Sequence, residues 1–121
     1  MIEYDLWIPE LPRSQADVMQ RFERAKSRKR WHRLVHAALL EAGWRPGMPL
    51  LPEVAIQFTR CSSGKKPDYQ GLVYSFKSPT DGLVGRVIKD DSDEFIPIQT
   101  YHYEHVKRAD QGIRMRIMQI L

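Results

Sequence analysis

The sequence predicts an α+β domain in which two main helices pack on a mixed β-sheet, in the order β-α-β-α-β-β. Three observations carry this. Apolar residues fall at every second position in four short runs, as in strands with one buried face. Between the first two runs, Ser14 to Ala42 contains no proline or glycine and is rich in helix formers. The chain has 121 residues, 14.2 kDa and 42% hydrophobic residues, one domain's worth at ~100–150 residues per domain.

The elements follow in order. Ile2, Tyr4, Leu6 and Ile8 share one face of a first strand, and Pro9 and Pro12 end it because proline cannot donate to a ladder. Ser14 is a suitable N-cap, with Asp17 in the favourable first turn. Val18, Phe22 and Ala25, and then Trp31, Leu34, Val35, Ala38 and Leu39, keep helical spacing to about Ala42. The apolar stripe weakens at Lys26-Ser27-Arg28-Lys29-Arg30, so the segment is one interrupted helix or two. Gly43 and Pro46 stop it.

From Leu50 the chain reads as extended, and Val54, Ile56 and Phe58 alternate as a second strand. Cys61 to Pro67 reads as a polar, basic loop. A second helix is expected from about Asp68, with Leu72, Val73, Phe76, Thr80, Leu83 and Val84 on its spacing. Pro79 should kink it or open a new first turn there, and Gly85 should stop it. Lys89 to Glu94 is an acidic turn. Ile96 and Ile98, running into Tyr101 and Tyr103, predict a third strand, and Ile113, Met115 and Ile117 a fourth.

The net charge is +4 with a pI near 9.4, which makes an anionic partner plausible. The charge is uneven. Residues 13–33 hold eight Lys or Arg against two acidic residues, so a basic helix stands apart from an acidic turn. The single cysteine, Cys61, excludes an internal disulfide framework and a cysteine-rich zinc site, and suits a reducing, cytoplasmic setting. The start lacks the pattern of a secretory signal, and no apolar run approaches the ~20 residues of a membrane span, so no membrane partner is expected.

Three constellations could carry chemistry, each with a plainer alternative. Asp68 at a helix start with Asp90 and Asp91 in a turn is a carboxylate set that could hold Mg²⁺, which prefers oxygen ligands, keeps waters and binds substrate phosphate. The same residues read otherwise as a cap and a solvated turn. Lys26, Arg28, Lys29, Arg30 and Arg33 form either a phosphate-contacting face or a solvated one. Lys65 and Lys66 before Asp68, with Lys77 after it, could bind phosphate or stabilise developing charge, or be ordinary surface lysines. His32 and His36 have a zinc-compatible i, i+4 spacing but no evident third ligand. His102 and His105 read as structural, and Trp7, Trp31 and Trp44 as core or interface.

Taken together, Lys66-Pro67-Asp68-Tyr69-Gln70-Gly71-Leu72-Val73-Tyr74-Ser75-Phe76-Lys77, Asp81-Gly82-Leu83-Val84 and Val87-Ile88-Lys89-Asp90-Asp91 resemble the RusA family of Holliday junction resolvases, in particular its phage-type branch. That family has a P-D-x-D-[NG]-L segment entering a helix, then a D-x-L element and a hydrophobic-x-D-D turn. The arginine-rich first helix followed by Trp31, Leu34, Val35 and Ala38 is similar to the phage-type pattern. The resemblance runs from about Ile2 to Ile117 and is strongest over residues 66–91.

The resemblance implies a homodimeric, Mg²⁺-dependent endonuclease (Mn²⁺ an alternative) that nicks opposed strands of four-way DNA in recombination and repair. Its metal carboxylates map onto Asp68 and Asp91, with Asp90 beside them. Lys77 is the candidate for positive charge near the leaving oxygen, although some members carry the helix lysine at the place of Tyr74. The family's second aspartate is Gln70 here. Glutamine offers a neutral carbonyl oxygen in place of a carboxylate, a loss on the order of 1–3 kcal/mol for one charge-assisted contact. This leaves open a weakened enzyme, an inactive homologue that still binds branched DNA, or a deliberate inactivation. Apart from the resemblance, the chain also reads as a small basic interaction domain.

Overall fold

The computed structural model describes residues 1–13 and 21–121. The expected cap at Ser14, with Asp17 and Val18, lies outside the described residues. The elements are β1 (Glu3–Ile8), α1 (Arg21–Glu41), β2 (Val54–Ser62), α2 (Tyr69–Ser75), α3 (Lys77–Asp81), β3 (Ile98–His105) and β4 (Gly112–Gln119), with a single 3₁₀ turn at Arg108–Asp110. This is the α+β architecture and element order that the periodicity predicts.

The four strands form one mixed sheet in the order β1-β4-β2-β3. β4 lies antiparallel to both β1 and β2, and β2 runs parallel to β3. A parallel pair needs a crossover, which α2 and α3 supply. The register sets Tyr4 beside Ile117, Ile8 beside Ile113, and Phe58 between Met115 and Tyr101. Tyr4, Leu6, Ile8, Val54, Ile56, Phe58, Ile113, Met115 and Ile117 are all buried, so the alternation read in the sequence is one core-facing side of the sheet. The opposite face is polar. Arg116 bonds Glu3 at 2.7 Å, and Arg114 lies 3.7 Å from Asp5 and over the half-exposed ring of Trp7.

α1 is continuous through the basic run. Its residues 23–26 and 28–30 are exposed, and burial begins at Trp31 and continues through Val35, Ala38 and Leu39. The interrupted apolar stripe therefore marks where the helix meets the core, not a break. Gly43 ends it at φ +102°, with Trp44 N–H reaching Leu39 O and Gly43 N–H reaching Leu40 O, a Schellman closure that seats Trp44 in the core.

The second helical segment divides at Phe76. Pro79 cannot donate to Ser75 O, and its ring would crowd that carbonyl, so α2 closes a residue later and α3 begins with Pro79 in its first turn. Gly82 follows α3. A Cβ there would stand 2.9 Å from Val35 Cβ, so glycine lets the end of α3 close against α1. The third strand starts two residues later than Ile96 suggests. Ile96 is buried ahead of it, while Ile98 is 53% exposed on the sheet edge.

Candidate functional site

The loop before α2 is held from below. Ser63 N and Oγ both donate to Gln111 Oε1, at 2.9 and 2.8 Å, and Tyr103 Oη donates to Gly64 O at 2.7 Å. This fixes the base of the turn from which the exposed Lys65 and Lys66 project. Asp68 then takes the extended conformation of an N-cap, and its Oδ1 accepts Gly71 N–H at 2.7 Å. The expectation of a helix-start aspartate is met with its carboxylate anchored at the exposed end of α2.

Two residues on, Gln70 reaches the wall of a cavity of about 500 Å³, which Lys77 and Asp91 also line. Three of the sequence-designated residues thus converge, although they lie on two helices and a distant turn. Tyr74 lines the same cavity, so its position and that of Lys77 both serve this space. The remaining wall is largely aromatic, with Tyr69, Phe76 and Tyr101. Tyr101 stacks on Phe58 at 4.8 Å and 10°, and Phe58 packs on Phe76 at 4.8 Å.

Asp91 arrives through a tight reversal. Gly85 takes φ +81°, Gly85 N–H bonds Ile88 O at 2.8 Å, and Val84 and Ile88 form a single parallel bridge. The chain returns toward the end of α3 and sets the acidic turn near Asp81. The Asp91 carboxyl is pushed above the ordinary range, first by partial burial, then by the charges of Asp81 and Asp90 and a hydrogen bond shared with Asp90. Asp81 is a participant that sequence reasoning left without a role. The signal was present, since a glycine with a reversal after Asp81-Gly82-Leu83-Val84 brings residues 81 and 91 together.

The basic helix meets this cluster through Arg28. Arg28 Nε lies 3.6 Å from Asp81 Oδ2. Arg30 is paired with Glu10. Lys26, Lys29 and Arg33 are exposed. His36 is not disposed as a zinc ligand, because its Nδ1 accepts Arg86 Nε–H at 3.2 Å and its ring stands edge-on to Trp44.

Among the described residues, no three His, Cys, Asp or Glu side chains are grouped as a metal cage. Mg²⁺ asks for less, being commonly held by one or two carboxylates with water and substrate phosphate completing the shell. Asp91 with Gln70 on the cavity wall fits that smaller requirement. The mutual repulsion of Asp81, Asp90 and Asp91 is what a divalent cation relieves. No helix among the described residues is long and apolar enough to cross a membrane. No protein-family model matches the chain, and no curated protein is significantly similar to it.

Proposed function

We propose that the chain is a metal-dependent endodeoxyribonuclease of the RusA type that nicks four-way DNA junctions in recombination and repair. The observation that carries this reading is the convergence of Gln70, Lys77 and Asp91 on one cavity beside the capped start of α2. These are positions that the resemblance singles out, and they meet only in the folded chain.

In this reading Asp91 and Gln70 hold Mg²⁺ or Mn²⁺, with Asp90 next to Asp91 in the chain and Asp68 capping α2 outside the cavity lining. The ion supplies activation of water and polarisation of the scissile phosphate. Lys77 lines the same space and offers positive charge to the leaving oxygen. Asp91 or Asp68 is the candidate acceptor of the proton from the attacking water. Lys65, Lys66, Lys29 and Arg33 contribute phosphate contacts, with Lys26 beside them. Arg28 and Arg30 are bound to carboxylates and contribute less. Cutting two strands related by a two-fold axis calls for a homodimer. The free, buried Cys61 suits a reducing cytoplasm.

Gln70 favours one second reading, a branched-DNA-binding protein without cleavage. A fixed four-way junction incubated with Mg²⁺ or Mn²⁺ separates the two, with paired nicks read on a denaturing gel and binding by gel shift. The nuclease reading expects paired nicks, abolished by Asp91→Asn and increased by Gln70→Asp. Binding with cleavage only by Gln70→Asp supports the second reading. Neither binding nor cleavage by any form overturns both.

A further inference from the structure

The geometry points to a seat for one unstacked DNA base in the aromatic part of the cavity that the candidate nuclease residues also line, with Tyr69 as its stacking wall. This rests on the nuclease reading, since it takes the occupant to belong to the same DNA.

Tyr69 is the first residue of α2 and is 68% exposed. A helix start needs no aromatic residue, and a ring so exposed adds little to the core. Among the described residues its ring contact is edge-on to Tyr101, at 6.3 Å and 82°. Tyr101 is immobilised by stacking on Phe58 and by its hydroxyl, which donates to Gln99 Oε1 at 2.8 Å. The cavity therefore has a rigid aromatic floor and a wall with an open face. Its volume of about 500 Å³ falls in the ~300–1,000 Å³ range of organic-ligand sites.

The polar groups on the cavity select a nucleotide over a plain hydrocarbon. With its amide oxygen given to the metal in the nuclease reading, Gln70 still has an NH₂ group to donate to an acceptor on a base edge. Lys77 supplies a cation for the attached phosphate, and Lys65 and Lys66 extend positive charge along the approach to α2. A base inside a duplex cannot offer its face to Tyr69. A bulged base, or one released at the centre of an opened junction, can do so at low cost.

The test measures fluorescence anisotropy with the full chain and a chelator present, so that cleavage plays no part. The probes are two labelled duplexes of equal length, one plain and one with a single bulged adenine. The bulged probe is expected to bind about tenfold more tightly, the range of one base stacked on one ring. Tyr69→Ala should bring that ratio near one, and Tyr69→Phe should keep it. Free deoxyadenosine monophosphate should not displace the bulged probe at the concentrations at which unlabelled bulged duplex does. A ratio near one in the unaltered protein, a ratio indifferent to Tyr69→Ala, or equal displacement by the free nucleotide overturns the inference. If junctions are nonetheless bound and cut, the nuclease reading survives that result. If no DNA of any form is bound, both fail.

Discussion

The Asp91 carboxyl is partly buried and feels the charges of Asp81 and Asp90, so its charged form is less favourable in the folded protein than in the unfolded chain. The linkage follows from the sign of that shift. A carboxyl whose folded pKa is raised is most favourable to stability at low pH, and its contribution is lost as pH rises through the raised value. Asp91→Asn is therefore expected to raise the melting temperature at neutral pH, with the gain fading as pH falls below the ordinary carboxylate value of 3.8. Thermal unfolding of both forms from pH 3 to 8 checks this, and a gain that persists undiminished at the acid end contradicts it. Mg²⁺ should stabilise the unaltered protein, by mass action on the folded state, and have little effect on Asp91→Asn. A loss of activity that accompanies a gain in stability is the signature of a residue kept for chemistry. At this scale the sequence was partly legible. Asp68, Gln70, Lys77 and Asp91 stand out by residue type and motif, whereas Asp81 becomes relevant only through the Gly85 reversal, and Tyr69 only through its exposure.

The short helix α2 depends on its first turn, because seven residues form few internal hydrogen bonds. Asp68 supplies a bond to Gly71 N–H there, which allows its structural and chemical roles to be separated. Asp68→Ala is expected to cost about 1 kcal/mol of stability, the usual loss of an N-cap. Asp68→Asn keeps the acceptor and the cap while removing the charge, so its stability should stay within a few tenths of a kcal/mol of the unaltered chain. Denaturant unfolding measures both, and junction cleavage should fall in both. If cleavage survives in Asp68→Asn, the residue is a cap alone. The elements whose faces are buried were readable in advance, because β1, β2 and β4 each place alternate residues in the core. β3 was less so. An edge strand with no fully buried residue carries a weak period, and the apolar Ile96 that suggested its start is buried outside it. The division of α2 from α3 was legible in Pro79, which removes the bond to Ser75 O, whereas the packing of Phe76 at the junction against Phe58 was not.

At the scale of the whole molecule, the described cations include some bound to carboxylates and others facing solvent. Arg30 is held by Glu10 and Arg28 by Asp81, whereas Lys65 and Lys66 project from a loop whose base is hydrogen-bonded in place. Binding to DNA releases a counterion for each phosphate neutralised, so the slope of log affinity against log salt counts working cations, at about 0.9 per phosphate on duplex. Replacing Lys65 and Lys66 together with Ala should flatten that slope by about 2 if each meets one phosphate. Arg30→Gln should change it by much less, because Glu10 already compensates its charge and would have to give it up on binding. Anisotropy titrations of a four-way junction from low to physiological salt decide between these outcomes. Equal slopes for the unaltered protein and the double lysine variant would place the DNA away from the loop that leads into α2. A fall for Arg30→Gln as large as that for a single lysine would mean that the Glu10 pair opens and that α1 is the principal DNA contact. The net charge of +4 cannot distinguish these arrangements, since it is the same whichever cations are engaged. The pairing pattern in the folded chain is what makes the two slopes differ.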